Sequence, residues 1–473
     1  MQNANNLFSE FVKGFGFEPT NLQHKLLRKL ADFVLNGAKN DLFLMKGYAG
    51  TGKTTVVSTV VNNLGSVNLK AVLLAPTGRA AKVMGSYSNK PAFTIHKKIY
   101  FPKKDPNSGM SFVLQQNKHR NTVFIVDEAS MIPDRNPDAR LFNNRSLLAD
   151  LISYVYSGLN CKLILVGDVA QLPPVKLDLS PALDKSLLEI EFDKEVKSIE
   201  LDEVMRQHED SGILYNATGI RESLFQNLLN QFKFDLNYKD VMRLTDGYDI
   251  QDAIYNAYYE GLNNTVFIVR SNKRANLYNQ QIRINILGYE NEITSGDFVM
   301  IVKNNYFWLQ DAPKVGFIAN GDICEILEIF SFKELYGFRF AEVKLRLVDY
   351  EDEPPFETVL LLDTLHSEAP SLSYEDSNRL YQAVGEDYAE ERSKYKRLLA
   401  IKSNKYFNAL QVKFSYALTC HKTQGGQWDN VFIEQPYMPE GEDISYLRWL
   451  YTAVTRAQKK LFLIGFKEAY FEE

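Results

Sequence analysis

Apolar positions in the first 200 residues alternate between two rhythms. Leu22, Leu26, Leu27, Leu30, Phe33 and Val34 recur at helical spacing between Thr20, a helix-capping residue type, and Gly37, a stop signal. Short unbroken apolar runs follow: LFLM at 42–45, AVLLA at 71–75, VFIV at 123–126 and LILV at 163–166. Runs this short and rich in β-formers, separated by helical patterns, predict a parallel sheet covered on both faces. The stretch KKIYFPKKDPNSGMSFVLQQNKHRN at 97–121 breaks the rhythm, with turn residues between strand-like pieces. It predicts a small inserted hairpin.

A second α/β region is expected from about residue 196, with a strand NTVFIV at 264–269 and a helix KRANLYNQQIRINIL after it. It resumes over 411–473, where FSYAL and KKLFLIG are further strand candidates. Between the two parts, DFVMIV, DICEILEIF, AEVKLRLVD and ETVLLLD, with the turn NGD at 320–322, predict a small all-β insertion over 291–365. A charged helical arm is expected over 366–410. Tyr374, Tyr381, Tyr388 and Tyr395 recur there every seven residues, a face suited to packing on a neighbouring domain. The fold class is α/β: a first parallel-sheet domain over 1–195, and a second over 196–290 and 411–473.

Composition bounds this picture without giving it a chemistry. A chain of 473 residues exceeds one ordinary core, so two to four domains are expected. No apolar run is long enough to span a bilayer, and MQNANNLFSEFVKGF lacks the basic start and apolar core of a signal peptide. Cys161, Cys324 and Cys420 are scattered, without metal-ligand spacing, and a reducing, cytoplasmic setting is expected. With 54 Lys+Arg against 59 Asp+Glu, the net charge of −5 excludes a general nucleic-acid coat. Strand binding would need a local basic track or neutral donors.

Two motifs bring in chemistry. Gly47-Tyr48-Ala49-Gly50-Thr51-Gly52-Lys53-Thr54 lies between a predicted strand and the helical pattern TTVVSTVVNNL, which begins with Thr54 and Thr55. Glycines let backbone N–H groups turn inward around phosphates at a helix N-terminus. Lys53 would reach the β- and γ-phosphates, and the Thr54 hydroxyl would hold Mg2+. In VFIVDEAS, Asp127 and Glu128 end a strand at the carboxyl edge, where open α/β sheets bind ligands. Asp127 would hold Mg2+ through water, and Glu128 would deprotonate the attacking water. LILVGDVAQLPPV brings Asp168 and Gln171 to the same edge, where Gln171 can bond both phosphate and water.

In chain order, LQHKLL with Gln23, GYAGTGKT, APTGRAAKVM, TIHK, VDEASM, GDVAQLPPV, LDEVMRQ, YALTCHKTQG and YTAVTRA span residues 20 to 457. Together they resemble superfamily 1 DNA helicases of the RecD/Dda-like branch. The resemblance implies two RecA-like motor domains with ATP between them, single-stranded DNA across their tops, and 5′→3′ movement. It implies that Gln23 contacts adenine, and that Arg206 and Arg456 reach the γ-phosphate from the second domain. Guanidinium groups there would make hydrolysis depend on cleft closure. Thr77, His96, Thr419 and His421 fall in strand-contact motifs. The 97–121 hairpin matches the branch's strand-separating pin, where Phe101 or Phe112 could stack on a terminal base pair or anchor the hairpin. Lys97, Lys98, Lys103 and Lys104 make it locally basic. The β insertion resembles a Src-homology-type barrel lying over the DNA.

The expected activity is ATP-dependent, Mg2+-requiring unwinding of duplex from a single-strand/duplex junction, as in DNA repair and recombination. Rivals are a strand-stimulated ATPase that remodels nucleoprotein and a noncatalytic single-strand-binding subunit. RNA is the weaker track. Membrane binding is not expected, and oligomeric state and protein partners stay open.

Overall fold

The computed structural model describes residues 3–103, 111–133, 145–203, 210–309, 317–350, 353–439 and 441–472. Its first half holds β1 (Asp41–Gly47), β2 (Lys70–Ala75), β3 (Ala92–Thr94), β4 (Tyr100–Lys103), β5 (Ser111–Leu114), β6 (Arg120–Val126), β7 (Leu159–Gly167) and β8 (Glu195–Leu201). Six of these form one parallel sheet, ordered β3-β2-β6-β7-β1-β8. Alternation explains why its strands are apolar throughout: Leu42, Leu44, Phe124, Val126, Leu163 and Leu165 face one core. Phe43, Met45, Val123, Ile125, Ile164 and Val166 face another. The Asn21–Asn36 helix covers the second face, started by a capping box in which Thr20 and Gln23 bond reciprocally. β4 and β5 form the inserted hairpin.

The second half holds β9 (Val241–Leu244), β10 (Thr265–Val269), β11 (Phe298–Ile301), β12 (Ile323–Leu335), β13 (Phe338–Leu347), β14 (Phe356–Leu361), β15 (Leu410–Phe414), β16 (Ala417–Thr419), β17 (Trp428–Glu434) and β18 (Ala457–Ile464). A second parallel sheet is ordered β16-β10-β17-β18-β9, and β11 to β15 close a barrel. The buried Arg283 guanidinium pins the barrel's first strand, donating to both Asp297 oxygens at 2.8 Å. Tyr416 adds a hydroxyl bond to Asp297 at 3.0 Å.

Three segments differ from the sequence expectation. Residues near 196 do not open the second region: β8 pairs along β1 as the edge of the first sheet. Residues 410–414 do not resume the second sheet: β15 crosses back to pair with β11 and β14, closing the barrel after the arm. The tyrosine stripe does not lie on one helix, because the arm is two helices, Tyr374–Glu386 and Lys394–Lys402. Tyr381 and Tyr388 pack on the barrel's Phe338–Phe340 cluster, whereas Tyr374 and Tyr395 are exposed. Among the described residues, no helix is long and apolar enough to cross a membrane.

Candidate active site

The turn after β1 is the phosphate loop. Gly50 and Gly52 have φ of 74° and 83°, a left-handed backbone that other residues adopt only under strain. The Lys53–Asn63 helix starts directly after, and its first turn carries Thr54 and Thr55. Lys53 Nζ donates to the Tyr48 carbonyl at 2.7 Å, holding the ammonium against its own loop. Thr51 is fully buried, and its hydroxyl also donates to Tyr48 O at 2.8 Å. Gln23 supports the loop from behind: 1% exposed, it donates to Thr51 O at 3.0 Å. The Tyr48 hydroxyl bonds Glu200 at the end of β8, and burial raises its pKa.

Asp127 and Glu128 follow β6 at the same edge. Asp127 Oδ1 accepts from the Glu128 N–H at 2.8 Å, and Oδ2 accepts from the Tyr87 hydroxyl at 2.6 Å. Glu128 sits at φ 53°, a conformation that costs a non-glycine residue of order 1–3 kcal/mol and clusters at functional sites. Burial pushes its carboxyl above the ordinary value, opposed by Arg456, reinforced by Asp127 and opposed by Lys53. Asp168 follows β7; its Oδ1 accepts from Ala170 N at 2.9 Å and so shapes the turn that carries Gln171. Gln171 is 6% exposed, and its Oε1 has no protein partner among the described residues. A buried orphan acceptor is unfavourable unless a ligand or water meets it.

The second sheet completes the site. Arg456, 3% exposed, is held by Thr452 O at 3.0 Å and Gly426 O at 3.2 Å, and its charge acts on Glu128. The structure therefore brings together Lys53, Asp127, Glu128, Asp168 and Arg456; Arg206 lies outside the described residues. This set suits triphosphate hydrolysis: cations and a glycine cradle for phosphates, and a destabilised carboxylate as base. Thr54 and Asp127 are the residues that would hold Mg2+.

Of the strand-contact candidates, Thr77 lies at the junction of the two sheets. Thr77 caps the Gly78–Ser88 helix by accepting from Ala80 N at 3.2 Å. Its hydroxyl lies 3.3 Å from where a Cβ on Gly425 would stand, so the two motifs face each other. Arg79 stacks over Trp428 at 4.0 Å, a second contact between the sheets. Thr419 opens the Cys420–Thr423 turn, and His421 is exposed. His96 is half-buried, and burial lowers its pKa to about 4. Neutral at ordinary pH, it would meet a strand by hydrogen bonding rather than by charge. Phe101 is 58% exposed on the hairpin. Phe112 is buried, its ring 4.4 Å from Tyr306, so Phe112 anchors the hairpin while Phe101 stays exposed. Sequence reasoning missed Tyr87, Arg79 and Tyr451; the first two lie inside or beside the quoted APTGRAAKVM run, and Tyr451 opens YTAVTRA.

Residues 32–177 match the family described as AAA domain, and 414–464 match the UvrD-like helicase C-terminal domain. The ATP-dependent RecD2 DNA helicase of Deinococcus radiodurans is 30% identical over 183 residues, 39% of this chain and 22% of that protein. The ATP-dependent DNA helicase dda of Enterobacteria phage T4 is 23% identical, covering 89% of this chain and 93% of its own. The chain spans 39% of an uncharacterized Methanocaldococcus jannaschii relative, 24% identical over 96% of this chain. A Bacteroides Pif1 helicase structure in complex with ADP-AlF3 and ssDNA is 14% identical, with TM-score 0.46, over 96% of this chain and 95% of that one.

Proposed function

We propose that the chain is a helicase of the RecD/Dda-like branch of superfamily 1, an ATP-driven motor that moves 5′→3′ on single-stranded DNA and unwinds the duplex ahead. Its matches to the AAA and UvrD-like helicase C-terminal domains and to RecD and dda support this reading. The observation that carries this reading is Arg456. It belongs to the second sheet, yet its charge acts on Glu128 of the first. Hydrolysis at such a site depends on the relation between the two sheets, which is how a motor couples chemistry to motion.

In this mechanism the glycine-rich turn wraps the ATP phosphates and Lys53 leaves the Tyr48 carbonyl to neutralise them. Glu128 takes the proton of the attacking water, its basicity raised by burial. Arg456, joined by Arg206, stabilises charge on the departing phosphoryl group. Bound Mg2+ would supply further charge neutralisation at the phosphates. Gln171 would accept from the water or report on the γ-phosphate, and Gln23 would read adenine. Thr77, His96, Thr419 and His421 would hold the strand by its backbone, without reading sequence. The reading divides the chain into a first motor domain ending with β8, a second from β9 to the C-terminal strand, and a barrel-and-arm insertion between β10 and β16.

The test is ATPase with and without single-stranded DNA, beside unwinding of 5′- and 3′-tailed duplexes. Strand-stimulated hydrolysis, lost in Lys53→Ala, and preferential unwinding from a 5′ tail are expected. Hydrolysis indifferent to strands overturns the motor; hydrolysis without unwinding leaves a remodelling translocase; preference for a 3′ tail reverses the direction.

A further inference from the structure

One face of the Ile444–Val454 helix meets the first sheet's active-site loops. Arg448, Tyr451 and Thr452 stand on it at spacings of three and four residues, which places them side by side. Arg448 NH1 donates to Val169 O at 2.6 Å. Thr452 Oγ1 accepts from Leu172 N at 2.8 Å, while Gln424 donates to Leu172 O at 2.6 Å. Between them Tyr451 is 1% exposed. Its hydroxyl donates to Asp168 Oδ2 at 2.7 Å and accepts from the Ala49 N–H at 2.9 Å. A phenol has one proton to give, and here it is given to one active-site segment while the oxygen serves another.

We propose that Tyr451 is a positioning residue that couples the phosphate loop to the Asp168–Gln171 turn, so that the two align for hydrolysis only when the second sheet is in place. This rests on the ATP-driven motor reading. The chain of contacts is complete on the first-sheet side. The Tyr451 hydroxyl orients the Asp168 carboxylate, whose other oxygen accepts from Ala170 N and holds the turn presenting Gln171. On the other side the hydroxyl engages an N–H of the glycine-rich loop itself. Both first-sheet partners are satisfied from the other sheet, and withdrawal of the helix leaves a buried carboxylate oxygen and a loop N–H to find new partners. Arg456 contributes charge to the same cleft, whereas Tyr451 contributes register.

Tyr451→Phe keeps the ring and removes both bonds. With saturating single-stranded DNA, kcat for ATP should fall roughly tenfold or more, as small misplacement of reacting groups does, with KM for ATP little changed. A residue that only packs would not move kcat when its ring is retained. Acting through Asp168, Tyr451→Phe should add nothing to Asp168→Ala: the double variant should match Asp168→Ala within about twofold. An active parent with kcat unchanged in Tyr451→Phe, even with a lower melting temperature, overturns the coupling alone. So do losses that multiply in the double variant. A parent that hydrolyses no ATP in the presence of strands overturns the motor reading and the coupling with it.

Discussion

Glu128 combines a left-handed backbone, a half-buried carboxyl and a guanidinium from another sheet. Its raised pKa sets the sign of a pH effect. The base works as a carboxylate, so hydrolysis should be lost as pH falls, with the acid limb of kcat lying above the ordinary value of 4.5. Glu128→Gln should abolish that limb, slow turnover and leave ATP trapped, because a carboxamide cannot take the water's proton. A limb unchanged in that variant would place the base elsewhere. Asp322 gives a stability test. It is 1% exposed, its Oδ1 has no partner among the described residues, and burial raises its pKa to about 7. Between the unperturbed 3.8 and about 7 the folded protein holds a proton that the unfolded chain releases, so stability is lost as pH rises through that window. Asp322→Asn stays neutral throughout. It should be close to the parent in stability at about pH 3 and more stable than it at about pH 8, by a few kcal/mol at about 1.4 kcal/mol per pH unit of that window. Equal melting at both would show that the buried carboxyl does not titrate on folding.

At the scale of elements, the hairpin divides labour between two phenylalanines. Register pairs Phe101 with Val113 and Pro102 with Phe112, so the two rings belong to neighbouring rungs. Successive rungs of a pleated ribbon present opposite faces, which is why Phe101 is exposed and Phe112 buried. Tyr306 and Phe317, which stack near Phe112, lie between β11 and β12 of the barrel region, so the hairpin's anchor is in the insertion. Phe101→Ala should therefore reduce unwinding of 5′-tailed duplex while leaving strand-stimulated ATPase intact, because a stacking surface worth about 1–3 kcal/mol per base is lost away from the cleft. Phe112→Ala should instead lower the melting temperature, as truncation of a buried ring does at a cost of about 3–5 kcal/mol. An unwinding loss in Phe112→Ala with the melt unchanged would exchange the two roles.

At the scale of the whole molecule, the net charge of −5 constrains how a strand can be held. A chain without a basic excess gains little from long-range attraction, so strand affinity would rest on local contacts. Strand-stimulated ATPase should nonetheless decline with added salt as phosphate contacts are screened, and it should vary little between strand sequences. ATPase half-saturation measured against salt and against different homopolymers checks both. The barrel also reaches the first sheet. A side chain on Gly78, at the start of the helix capped by Thr77, would run into the Asp322 carboxylate at 2.6 Å and the Tyr350 hydroxyl at 2.8 Å. Lys82 from that helix donates to Val348 O at 3.1 Å. The insertion thus meets the Thr77-capped helix as well as the hairpin.

Features carried by contiguous spacing were legible before folding. The capped 20–37 helix, the strands of the first sheet's centre, the hairpin and the glycine turn with Lys53 are local patterns, and the structure has each of them. The convergence of Lys53, Asp127, Glu128 and Asp168 was also legible, because strands of a parallel sheet end at one edge. Strands placed by distant partners were harder: β8 joins the first sheet only through β1, and Leu410–Phe414 reads equally well as sheet or barrel until β11 and β14 are seen beside it. The faces of Phe101 and Phe112 depended on which neighbour came to cover the ribbon. Tyr451 was invisible as a functional group for the same reason. Nothing within its own helix distinguishes a tyrosine that packs from one that spans a cleft. Its partners, Ala49 and Asp168, lie hundreds of residues away in sequence, and only the meeting of the two sheets supplies a carboxylate and an N–H within reach of one hydroxyl.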